Sequence, residues 1–323
     1  MGFPIVTPSY FKDLVDVTKP IEEYDFIEVI ASPAAVEYVA LLKNPEVVRK
    51  LMSLEGTLEY KMVQLPDKES EEFIAQSREA IKVNPDAAYY WQLRTLMMNT
   101  LQNRNVTFEK RLLLLNYAIK TVQGMIDGHQ SNLIPGFIAR FNSTSEYEKI
   151  LEYFKGIAPS FDYALADGIS LLKSLAKETP EYKDILNRVY KNLGVSGPET
   201  LGMVDMKNYV AMREKFTTEF MAQHSDWIEN IMINYVWSYS IPFSFSGRLS
   251  LWENYVFFCA LYNAVKILIT YCKPENDDDF VKAISSFDDA LSRTGRDIVW
   301  KMVAFIKNSG QANNGDMAVL TIS

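Results

Sequence analysis

The sequence predicts a mainly α protein, a compact multi-helix assembly behind a small irregular or α+β N-terminal segment. Three observations carry that expectation. Apolar residues recur at helical spacing over most of the chain beyond residue 84, Pro repeatedly stands where a helix would open, and a single stretch alternates as a half-buried strand would.

In chain order, Ser32-Pro33 and Asn44-Pro45 are the first helix-opening pairs, since a small polar cap followed by Pro sets the entry dihedral without losing a hydrogen bond. Thr57 to Leu65 places Leu58, Tyr60 and Met62 on one side and Glu59, Lys61 and Val63 on the other, the period of a short strand. Asn84-Pro85 then opens the helical part. Tyr89, Leu93, Leu96 and Met97 form one apolar face, and Leu112, Leu115, Ile119, Val122 and Ile126 form a second, capped by Thr107. Gly156 to Pro159 and Gly194 to Gly202 are breaks, and Thr179-Pro180 and Gly197-Pro198 mark further starts. Leu249 to Cys272 is the most apolar window, yet it holds Glu253, Asn254, Asn263 and Lys266, so a buried core helix is expected rather than a membrane span. Three parts follow: an N-terminal segment over 1–84, a helical domain over 85–308, and a flexible tail over 309–323, where Gly310, Gly315 and polar amides gather.

Composition narrows the function classes. With 323 residues and 48% hydrophobic, the chain can bury a substantial core. A net charge of -8 disfavours nucleic acid and suits a cationic, Lys-bearing protein partner. Cys259 and Cys272 make neither a disulfide framework nor a four-thiolate site, so no iron-sulfur cluster is expected. The start lacks a basic then apolar leader, which gives a cytoplasmic expectation, with no membrane association.

The residues themselves leave several readings open. Glu229, Asn230 and Asn234 interrupt an apolar helix, and the two Asn share a face, as a cross-link between helices or a ligand site would require. Tyr235, Trp237, Tyr239, Phe243, Phe245, Trp252 and Tyr255 surround Pro242; such rings form core, wall an adenine pocket, or shield a methylated ammonium. Arg248 is the nearby cation suited to a carboxylate. Arg104 and Arg111 read as ion-pair partners on a solvated face. His129 and His224 lie too far apart in sequence for a metal triad and are expected at the surface. Asp277-Asp278-Asp279 suits either a helix's first turn or a divalent cation, the second implying an enzyme of small apolar substrates.

The run Glu229-Asn230-Ile231-Met232-Ile233-Asn234, the Pro242-Phe243 corner and the Tyr255 to Lys266 helix resemble the C-terminal part of the flagellin lysine N-methylases, which carry a Glu-Asn-Tyr-Leu-Val-Asn-like run there. Glu109-Lys110-Arg111-Leu112-Leu113-Leu114-Leu115 after Leu101-Gln102-Asn103-Arg104, and Asn44-Pro45-Glu46-Val47, are similar to further segments of that family in the same order. Two departures stand out. Ile231 replaces the family's Tyr, and the family's Cys-rich region, held to bind an iron-sulfur cluster, is missing, with Asn44 in place of its Cys. The resemblance implies methyl transfer from S-adenosylmethionine to Lys side chains of flagellin or a similar protein. It implies Glu229 as the acid/base or amine-orienting group, and Asn230, Asn234, Tyr235, Arg248, Trp252 and Tyr255 as cofactor-binding residues, with no metal ligand. The alternative it leaves is a catalytically inactive, cluster-less relative whose helical body binds or regulates other proteins.

Overall fold

The computed structural model describes residues 89–141, 144–175, 180–238, 241, 249–274, 277–294, 297–308, 317–318 and 321–323, together with the backbone of three short N-terminal strands. Those strands, β1 (Phe3–Pro8), β2 (Phe26–Ala31) and β3 (Lys61–Gln64), pair antiparallel in the order β1-β2-β3. The expectation for residues 1–84 otherwise falls outside the described residues, as do the helix openings at Pro33, Pro45 and Pro85.

From residue 89 onward the described chain is helical, as the periodicity predicts. Its α-helices are α1 (Tyr90–Leu101), α2 (Phe108–Asp127), α3 (Ile134–Phe141), α4 (Thr144–Phe154), α5 (Phe161–Ser174), α6 (Pro180–Leu193), α7 (Met206–Lys215), α8 (Met221–Ser238), α9 (Leu251–Cys272), α10 (Asp277–Thr294) and α11 (Asp297–Asn308). The glycine breaks separate α4 from α5 and α6 from α7, with Pro198 opening a 3-10 turn, Pro198–Met203, inside the second break. Thr107 stands at the N-cap of α2 without a side-chain cap bond. The better cap belongs to α9. There Ser250 N donates to Glu253 Oε2 at 2.8 Å and Glu253 N donates to Ser250 Oγ at 3.1 Å, a reciprocal capping box.

Contacts divide the chain into two compact units, one of Met1–Lys155 with Glu229–Tyr255 and one of Gly156–Ile228 with Val256–Ser323. The division falls within α8 and α9. In the first unit α2 is the hub: α1, α3 and α4 all pack on it, and Leu112, Leu114, Leu115, Ile119 and Val122 are fully buried. In the second unit α10 packs on α6 and α11, and α5 packs on α7 and α11.

The apolar helix α9 is long enough to cross a membrane, and its most apolar window is 100% buried in the protein. A helix apolar on all sides needs cover all round, and protein provides it here. Its buried polar side chains find hydrogen-bond partners, although Asn263 Oδ1 has none among the described residues. Asn263 Nδ2 donates to Ala164 O at 2.7 Å and to Asp167 Oδ2 at 3.1 Å, and Lys266 Nζ donates to Thr321 O at 3.1 Å.

The flexible tail expected over 309–323 differs from what its described residues do. Met317, Ala318, Thr321 and Ser323 are buried. Ser323 Oγ accepts from Ser160 N at 2.9 Å, and Ser323 O accepts from Arg213 Nε at 2.8 Å. Gly and amide content suggested fraying, but the buried cations Arg213 and Lys266 require acceptors, and the segment supplies them.

Candidate functional site

The residues marked out by sequence assemble in the first unit. Glu229, on α8, is 1% exposed, and its carboxylate is enclosed by two guanidinium groups. Arg104, in the loop between α1 and α2, donates from Nη2 to Glu229 Oε1 at 3.0 Å and from Nε to Oε2 at 3.1 Å. Arg111, on the first turn of α2, donates from Nη1 to Oε2 at 2.7 Å. The same Arg111 also donates to Leu101 O at 2.7 Å and Val106 O at 2.9 Å, pinning both ends of the α1–α2 loop.

Both arginines are ion-pair partners as expected, Arg104 on an exposed face, whereas burial of Arg111 corrects the solvated face expected for it. The Arg111 side chain is 6% exposed and the Arg104 side chain 34%, so the pair is held inside and at the edge of the core. Removing a charge from water is tolerable only with close partners, and Glu229 provides them for both cations. Its oxygens are thereby committed to guanidinium donors, which is the arrangement of a buried structural node.

Tyr255 and Trp252 are engaged in a similar way. Tyr255 Oη donates to Leu112 O at 2.7 Å, tying α9 to α2. Trp252 N donates to Gln123 Oε1 at 3.0 Å, and Lys120 Nζ stands 4.4 Å from the centre of the Trp252 ring, a cation–π contact. Tyr235 is 1% exposed, among the largest fully buried side chains. The structure therefore brings Glu229, Tyr235, Trp252 and Tyr255 into one unit. The side chains of Asn230 and Asn234, and the whole of Arg248, lie outside the described residues, as does most of the aromatic corner around Pro242.

The second unit holds a cleft that the sequence reading did not single out, with a volume of ≈ 570 Å³. One wall comes from the end of α7, a π-helical turn over Phe216–Phe220, and the start of α8; the other comes from the end of α9 and the start of α10. Both walls carry backbone irregularities. π-Turns are rare and concentrate at functional sites. Within α8, His224 leaves helical geometry with φ -128° and ψ 24°, and Lys273, just past α9, has φ 49°.

Inside the cleft the rings form a connected ladder. Phe216 and Phe220 stack at 5.2 Å between centroids, Phe220 and Phe280 at 5.6 Å, and His224 lies 4.9 Å from Phe220 and 4.3 Å from Trp227. Trp227 closes the ladder on Phe280 at 4.7 Å. Phe216 and Phe280 are buried, whereas Phe220, His224 and Trp227 are half-buried and offer ring surface to a ligand. The signal was present in the sequence: Phe216, Phe220 and His224 recur every fourth residue, with Trp227 three later, a one-sided aromatic stripe.

Cys259 and Cys272 are free and buried, and thirteen residues of helix separate them by about 20 Å along the axis. Burial pushes the Cys272 thiol up, a tendency that the nearby Arg188 guanidinium only partly offsets. His129 sits exposed in the turn after α2, and the acidic run opens α10 at Asp277, where the helix dipole favours it.

Residues 94–320 match the family described as the FliB lysine N-methylase C-terminal domain. No curated protein and no solved structure matches the chain.

Proposed function

Because the chain belongs to the FliB lysine N-methylase C-terminal domain family, we propose that it transfers methyl groups from S-adenosylmethionine to lysine side chains of a flagellin-type protein. The observation that carries this reading is the family match over 94–320, a span that contains every residue lining the aromatic cleft. S-adenosylmethionine, when bound, supplies an electrophilic methyl group on a sulfonium. A lysine amine presented unprotonated would accept that methyl group, with the carbon–sulfur electron pair passing to sulfur and the amine's proton to solvent or a nearby base. The protein's part is to hold the donor, align an unprotonated amine with it, and keep water from the reacting atoms. A net charge of -8 favours encounter with a lysine-bearing surface.

In this reading Glu229 acts as a positioning residue that fixes Arg104 and Arg111. Asn230 and Asn234, beside it on α8, and Tyr235, Arg248, Trp252 and Tyr255 stand as candidates for orienting cofactor or substrate. The chain's two cysteines give no step through an iron-sulfur cluster.

A second reading is favoured by the full engagement of Glu229 with guanidinium donors: the helical body binds protein without catalysis. Intact-mass measurement of flagellin incubated with the protein and S-adenosylmethionine separates the two. Stepwise methyl additions support the methylase. Unchanged mass, with flagellin still retained by the protein, supports the binding module.

A further inference from the structure

We propose that the aromatic cleft of the second unit binds a nucleoside-class ligand bearing a carboxylate, with the base on the Phe220–His224–Trp227 surface and the carboxylate near Lys273. Its identification with the S-adenosyl group rests on the methyl-transfer reading; the ligand class rests on the cleft.

Ring chemistry fixes the first half of the ligand. Phe220, His224 and Trp227 form a continuous, partly exposed aromatic face backed by the buried Phe216 and Phe280. A planar heterocycle gains stacking there, and Gln223, the His224 nitrogens and Thr270 offer hydrogen bonds to its edge. The volume of ≈ 570 Å³ lies within the range that takes a cofactor-sized molecule.

Charge fixes the second half. The cleft is lined by two lysines, Lys215 and Lys273, against one carboxylate, Glu219. Lys215 Nζ is already 3.5 Å from Glu219 Oε2, an exposed i,i+4 pair, and among the described residues Lys273 forms no ion pair. An ammonium group beside an aromatic face pairs with a carboxylate.

The backbone supplies an independent sign. Helices commonly end in a left-handed residue, and glycine is the usual occupant because it has no Cβ to strain. Here the position holds Lys273, followed by Pro274, at φ 49°. A non-glycine residue held in this conformation at the mouth of a cleft points to use of its side chain.

S-adenosylhomocysteine is the probe, titrated into the full chain and read by calorimetry and by Trp fluorescence. Saturable binding is expected, weakened about tenfold or more by Trp227→Ala and Phe220→Leu through lost stacking. Lys273→Gly should weaken it about fivefold or more while leaving the fold intact or stabilised, and adenosine, which lacks the carboxylate, should not respond to that change. Trp227→Leu serves if Trp227→Ala fails to fold, with the same loss of affinity expected because stacking is removed while most of the volume stays. S-adenosylhomocysteine binding that is indifferent to Phe220, Trp227 and Lys273, or no binding to the folded chain, overturns the proposal. Methyl transfer to flagellin with such indifference would sink the cleft assignment alone. Binding in the cleft without any methyl transfer would sink the methylase reading alone.

Discussion

The guanidinium of Arg111 and the carboxylate of Glu229 meet at 2.7 Å in the core of the first unit, although 118 residues separate them in the chain. Arg111 also holds two carbonyls of the α1–α2 connection, so Glu229 sets the position of that loop as well as of its own helix.

Glu229→Gln should therefore act first on stability. Leaving Arg111 buried without its counter-charge costs about 3 kcal/mol, while the partly exposed Arg104 adds little because solvent screens it. Glu229→Gln combined with Arg111→Gln should lose less than the two single changes added together, by about 2 kcal/mol. Urea unfolding midpoints of the four proteins check this; additive losses would show the pair to be uncoupled. A Glu229→Gln protein of unchanged stability but abolished methyl transfer would instead return Glu229 to chemistry.

The pair Asp167 and Asn263 should make stability depend on pH. Burial raises the Asp167 pKa from the usual 3.8 to about 7, against a lowering from the Asn263 hydrogen bond. Between those values the folded protein holds a proton that the unfolded chain has released, so stability from this residue is greatest below about pH 4. It falls as pH rises toward 7, at about 1.4 kcal/mol per unit at most. Asp167→Asn should flatten that slope in denaturation measured between pH 4 and 7, with its largest gain at the upper end. An unchanged slope would show that Asp167 titrates as an exposed carboxylate does.

Gly168 lets α5 approach α9 closely. A Cβ there would stand 2.3 Å from Ile267 Cδ1 and 3.1 Å from Asn263 Nδ2, both on fully buried residues. Gly168→Ala should destabilise by about 1–3 kcal/mol from overpacking, less the gain of nearly 1 kcal/mol in helix propensity. Ile267→Val, which removes the clashing methyl, should recover part of the loss when combined with it. Equal midpoints for Gly168→Ala and the parent chain would mean that Ile267 moves aside freely.

Both thiols should resist alkylation in the native protein. They are buried, and burial pushes the Cys272 thiol up, so the reactive thiolate is scarce near neutral pH. Iodoacetamide labelling followed by mass should be at least about tenfold slower in buffer than in urea. Rapid native labelling at Cys272 would mean that the Arg188 guanidinium outweighs burial.

Part of this organisation was written in local pattern. The apolar stripes of α1 and α2 placed Leu93, Leu96, Leu112, Leu115, Ile119 and Val122 in the core, since helical periodicity needs no knowledge of distant partners. The glycine breaks, Pro198 and the buried character of α9 followed for the same reason. The family resemblance, carried by the run from Glu229 to Asn234 and by Glu109 to Leu115, also lay in the chain itself.

Which polar groups face one another is a matter of pairing across the fold, and there local pattern falls silent. Nothing near Arg111 in the sequence announces Glu229, and composition at the chain's end suggested fraying where Ser323 meets Arg213 and Ser160. The cleft shows the same division. The sequence by itself set an aromatic stripe at Phe216, Phe220, His224 and Trp227, because a helix presents every third and fourth residue on one side. Only the tertiary structure decided that Phe280 and Lys273 would face that stripe across an open space, because long-range packing, and not helical period, brings α9 and α10 beside α8.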